Sequence, residues 1–225
     1  MSRVDALARS LVGKKVLMAV TGVILIGFLI GHVYGNLKIF QGRDHFNAYA
    51  EGLRTLGAPL LGYAHFLWIV RVVLLAALAG HLWTAYVVTR ASRRARPVDY
   101  HALDLVATTY AARTMRWGGV IILLFVVYHL LDFTFGRVNP GFVAGDVYRN
   151  VIASFSLPLV AYFYMGAVIA LGLHLYHGTW SACQTLGLNH PSYNHLRRGA
   201  AGTLTALLVA GFIAVPAAVQ AGLLR

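Results

Sequence analysis

Five apolar runs, each long enough to cross a bilayer, dominate this sequence. They extend from about Val16 to Leu37, Tyr63 to Val88, Arg116 to Phe135, Val151 to Cys183 and Ala200 to Leu223. A spanning helix needs ~20 mostly apolar residues. Inside the hydrocarbon only a helix or a closed barrel satisfies every backbone polar group. Runs of this length predict helices, so the chain reads as an all-α integral membrane protein, a bundle of five transmembrane helices. The residues are 59% hydrophobic and 12% charged, whereas a soluble domain is nearer half apolar and a quarter charged. No internal repeat or low-complexity tract is visible, and no loop is long enough to fold alone. The 225 residues therefore read as a single transmembrane domain. The fourth run exceeds the core thickness, and tilt or projection would accommodate it. Pro158 falls in its first turns, where proline is tolerated.

The net charge of +12 would suggest nucleic acid in a soluble protein. Here the basic residues sit in short loops at helix ends, which reads as topology signalling and not as nucleic-acid binding. One side carries Arg3, Arg9, Lys14, Lys15, Arg90, Arg93, Arg94, Arg96, Arg113, Arg116, Arg197 and Arg198. The other carries Lys38, Arg43, Arg54, Arg137, Arg149 and Arg225. The richer side should be cytoplasmic, with the N-terminus inside and the C-terminus outside. Lys14 and Lys15 precede a run long enough to span and lacking an A-x-A site, so it reads as a helix and not as a cleaved leader. Cys183 is the only cysteine, which excludes a disulfide framework and an iron–sulfur cluster on this chain.

Four histidines lie inside four separate runs: His32, His81, His129 and His174. An ionisable side chain within a span is costly and functional by default. Helix rise places His32 ~25 Å above Lys15 and His129 ~24 Å above Arg113. The descending helices place His81 ~13 Å above Arg90 and His174 ~15 Å above Gln184. The four thus fall into two layers ~10 Å apart. Neutral imidazole is a good axial ligand for haem iron. Two haems b stacked along the membrane normal fit the pattern, with His32 and His129 on the outer one and His81 and His174 on the inner one. Gly27, Gly31 and Gly35 recur on one face beside His32, Gly80 precedes His81, and Gly172 lies near His174. Close helix packing explains such residues, and so does a helix face left bare for a flat porphyrin. His177, one turn from His174, is an alternative ligand. His45, His65, His101, His190 and His195 fall in loops or at helix ends. Trp68, Trp83, Trp117 and Trp180 read as interfacial belt. Arg71, within a span, needs a partner such as a propionate or an anionic lipid, or snorkels to the interface.

Several phrases carry a family resemblance. The first run ends FLIGHVYGNLKIF and is followed by FNAYAEGL; the third carries VVYHLLD; the fourth carries LHLYHGTWSACQTLG. Together they resemble the cytochrome b subunit of succinate dehydrogenases and fumarate reductases, in the class with one five-helix anchor and two haems b. The resemblance implies that His32, His81, His129 and His174 are the haem ligands, the last through its H-x-x-x-G spacing to Gly178. It implies a flavoprotein and an iron–sulfur subunit on the cytoplasmic face of a bacterial inner membrane. The dehydrogenase active site would lie on those subunits. Electrons from succinate, an intermediate of the tricarboxylic acid cycle, would pass through the inner and outer haems to a quinone of the respiratory chain, menaquinone in most of this class. Some fumarate-reducing relatives carry a glutamate two residues before the fourth ligand. Here that position is Gly172, which tilts the expectation toward succinate oxidation. The family places the quinone near the outer haem. On that side Glu51, with His45 and Arg54 near it in sequence, is the expected quinone-binding group, and Asp132 is a further polar candidate.

Two other functions share parts of this pattern. A dihaem cytochrome b serving a hydrogenase or formate dehydrogenase would have the same haem chemistry and a different soluble partner. A transporter could use the histidines directly, but discontinuous helices or related repeats would then be expected.

Overall fold

A computed structural model describes residues 5, 10–95 and 110–225. Arg3, Arg9, Arg96 and His101 lie outside the described residues. The described residues form helices and connections, with no strand. Five helices are long and apolar enough to cross a membrane, so this is a multi-pass helical membrane protein. The spanning helices are α1 (Leu11–Leu37), α3 (His65–Arg94), α4 (Tyr110–His129), α6 (Pro158–Thr185) and α7 (Asn194–Gln220). Two short helices, α2 (Arg43–Thr55) and α5 (Val147–Phe155), lie between them at one end of the bundle.

The fourth apolar run is not one helix. It divides into α5 and α6 at Ser156 and Leu157. The residue before a proline is pushed out of the helical region, and Leu157 is extended, with ψ 111°. Pro158 then opens α6, where its missing N–H costs nothing. The first run begins earlier than expected, at Leu11, because Ser10 caps it by accepting from the Gly13 amide at 3.0 Å. The connection between the first two spans also holds α2, with Phe46 its buried residue. Polar content hid this helix from a search for spans.

α6 is the central element. It packs against α7, α4 and α1, and α1 packs in turn against α3 and α7. Small residues permit the closest crossings. A Cβ on Gly172 would come 2.7 Å from Val209, and one on Gly211 would come 2.5 Å from Val33. The buried side of α7 includes Ala201, Leu208 and Val215, a seven-residue repeat that keeps one seam against its neighbours. Outward faces carry exposed Leu75, Trp117, Leu124 and Leu159. Water would penalise such faces and a bilayer does not.

The end bearing α2 and α5 is tied by polar contacts. Asp146 caps α5 by accepting from the Arg149 amide at 3.1 Å. It also accepts from Asn47 at 2.9 Å and pairs with Arg43, both on α2. Asn47 returns the contact by accepting from the Tyr148 amide at 3.0 Å. The bond from Asn47, then those from the Arg149 amide and Arg43, hold the Asp146 carboxyl below its ordinary range.

Candidate functional site

Four spanning helices set up the site. α3 packs on α1, α1 on α6, and α6 on α4. Among the described residues α3 and α4 make no comparable contact. The helices that do not touch closely, α1 with α4 and α3 with α6, face each other across the interior. The four spanning histidines lie on these two diagonals.

His32 on α1 and His129 at the end of α4 have ring centroids 5.8 Å apart and planes at 90°. His81 on α3 and His174 on α6 have centroids 6.3 Å apart. The four spanning histidines thus form two pairs of neighbouring rings. His177 does not join a pair. Its ring lies 5.5 Å from that of Trp180.

The donor atoms bear on whether a metal-centred cofactor fits. His81 Nδ1 lies 3.2 Å from the Met18 carbonyl and 3.3 Å from Thr21 Oγ1. A carbonyl can only accept, so Nδ1 carries the hydrogen and Nε2 is left with its lone pair. Outer hydrogen bonds of this kind fix the tautomer of metal-binding histidines. His129 Nδ1 and His174 Nδ1 are buried and have no hydrogen-bond partner. Two imidazoles binding one metal from opposite sides, each N–metal bond being ~2 Å, have ring centroids ~6 Å apart. Both observed separations agree with that spacing. Among the described residues no group of three or more His, Cys, Asp or Glu could hold a metal; the histidine donors come in twos, as an axial pair does.

The glycines also distinguish the two readings of small residues. A Cβ on Gly27 or Gly31 would meet nothing within 4 Å. These two glycines are exposed and do not serve close packing. Gly35 does pack, since a Cβ there would come 3.1 Å from Tyr49. Near the other pair, a Cβ on Gly22 would sit 3.5 Å from His81, and one on Gly119 would sit 3.8 Å from His174. The donor set of each pair, two neighbouring imidazoles, suits a bis-histidine haem.

The expected quinone residues are partly brought together. Glu51 Oε2 receives the Tyr63 hydroxyl at 3.3 Å and the Arg54 guanidinium at 3.5 Å. Desolvation, then the hydrogen bond to Glu51, raises the Tyr63 phenol above its ordinary range. His45 lies exposed on the first turns of α2 and does not reach this group. Arg71 is exposed, with its guanidinium 4.9 Å above the Trp68 ring. That places it at the periphery and not against the histidines.

Asp132 stands in the interior, one turn past His129. It is 1% exposed, in a π-helical turn, Leu130–Thr134, that directly follows His129. Its Oδ2 accepts from Ser154 at 2.7 Å and from Tyr164 at 2.8 Å. The Tyr164 ring lies 6.0 Å from His129 by centroid. Sequence reading missed Tyr164, Ser154 and Thr21. Thr21 stands about three turns before His32 on α1, so a count along that face could have found it. The chain matches no protein-family model, no curated protein and no solved structure.

Proposed function

We propose that this chain is the cytochrome b membrane anchor of a succinate:quinone oxidoreductase, carrying two haems b. The observation that supports it most is the pair of diagonal histidine contacts, with ring centroids 5.8 and 6.3 Å apart. His32 and His129 would hold one haem, and His81 and His174 the other. Haem supplies reversible one-electron transfer when bound between two histidines. The chain's own residues orient the ligands and exclude water. Met18 and Thr21 fix the His81 ring, while Phe28, Phe212, Phe125 and Phe133 line the other pair.

The end bearing Lys14, Lys15, Arg90, Arg93, Arg94, Arg197 and Arg198 is the cytoplasmic one on this reading. A flavoprotein and an iron–sulfur subunit dock there, and the dehydrogenase active site lies on them. The opposite end carries Glu51, Arg54 and Tyr63. Glu51 is the group through which a proton reaches a bound quinone, menaquinone by the family resemblance, and Arg54 and Tyr63 hold its carboxyl in place. Gly172 stands where a proton-carrying glutamate would serve fumarate reduction, which favours succinate oxidation. His45 has no role in this arrangement.

The test is purification from the native membrane. The reduced complex should show a haem b spectrum with two haems per chain, and a flavoprotein with succinate dehydrogenase activity should co-purify. A haem-free protein would overturn the reading. Co-purification of a hydrogenase or formate dehydrogenase would move the chain to another respiratory complex.

A further inference from the structure

Asp132 satisfies itself unevenly. A buried carboxyl in an apolar span needs hydrogen-bond partners. Both of its donors, Ser154 and Tyr164, fall on Oδ2, and Oδ1 is buried without a partner. His129 Nδ1 is the matching atom, also buried and without a partner. Asp132 follows His129 by three residues, within the π-helical turn that begins at Leu130. Tyr164 touches both, with its hydroxyl on Asp132 and its ring against His129. The local backbone is also unusual. The Phe135 amide bonds the Leu130 carbonyl at 2.9 Å, five residues back. That wide turn starts one residue after His129, and such single π-turns occur often at functional sites.

We infer that Asp132 is a positioning residue for His129, its Oδ1 accepting the Nδ1–H of the imidazole directly or through one bound water. This rests on the haem reading above, in which His129 binds iron through Nε2. Ser154 and Tyr164 clamp one carboxyl oxygen so that the other faces the ligand. The two pairs then differ in kind: His81 donates to a neutral backbone carbonyl, and His129 donates to a carboxyl. A carboxyl acceptor makes a ligating imidazole more basic. It therefore favours the ferric form and lowers the potential of the haem that His129 holds.

The experiment is a potentiometric titration of the purified complex, read by optical and electron paramagnetic resonance spectra. The signal that His129→Ala abolishes identifies the haem concerned. Asp132→Asn places an amide NH2 toward His129 if the hydroxyls keep the remaining oxygen, so the acceptor is lost. The ferrous-to-ferric ratio of that haem at fixed applied potential should rise about tenfold, equivalent to about 59 mV for one electron. The other haem should not move. Ser154→Ala and Tyr164→Phe keep the acceptor and should shift the ratio far less. Should Asp132→Asn fail to retain haem, the triple variant Asp132→Leu, Ser154→Ala, Tyr164→Phe replaces the whole network with apolar groups, an exchange that can be nearly neutral for folding. It should show the same rise. A full haem complement with an unmoved potential overturns the inference alone, as does an equal shift in both haems. A parent protein without haem overturns the proposed function, and this inference with it.

Discussion

Two histidines three residues apart on α6 show how much one position matters. Only His174 has a second imidazole beside it, at 6.3 Å by centroid, whereas His177 has Trp180. If the two pairs hold haem as proposed, His174→Ala should halve the haem content of the purified protein, and His177→Ala should leave it whole. The reverse result in a pyridine haemochrome assay would move the ligand to His177. The four spanning histidines were legible in the sequence because a polar ring in a twenty-residue apolar run stands out against its neighbours. The hydrogen bonds around them were not. The acceptor for His81 is a backbone carbonyl, which every residue carries. Tyr164 reaches Asp132 from another helix, a contact that one helix's periodicity does not encode.

Among the elements, the spans were readable and the short helices were not. Hydropathy over a span averages out local detail, so it found α1, α3, α4 and α7 but joined α5 to α6 across Leu157 and overlooked α2. The missing signals were the restriction before Pro158 and the Asp146 cap on α5. That cap also makes a pH-sensitive clamp between α2 and α5. The folded Asp146 carboxyl titrates below its ordinary value, so the carboxylate contributes stability above the unfolded value of ~3.9. The contribution is lost as pH falls through the lower folded value. Protection of the Tyr148 and Arg149 amides from hydrogen exchange, relative to their intrinsic rates, should fall below about pH 4. Asp146→Ala should remove the cap at neutral pH, costing about 0.5–2 kcal/mol locally. Exchange at these amides that is insensitive to both changes would show that the clamp does not hold α5.

At the level of the whole molecule, contact is unevenly spread. α6 and α7 pack closely along their length, while α3 leans chiefly on α1 and α4 chiefly on α6. The diagonals between α1 and α4, and between α3 and α6, are bridged by histidine pairs. A ligand held between two helices stabilises the folded state that binds it. If each pair holds a haem, each haem ties one weakly held helix to the central seam. Removing both, with the double variant His32→Ala, His81→Ala, should then loosen the bundle selectively. Hydrogen exchange in detergent should speed up most in α3 and α4, where packing on neighbours is thinnest. It should change little along the facing sides of α6 and α7, whose contact rests on Gly172 and the Ala201, Leu208 and Val215 seam. Equal acceleration in all five spans would mean that the bundle unfolds as one unit. No change in α3 and α4 would mean that the histidine pairs hold nothing that ties the diagonals, and the haem reading would lose its structural support.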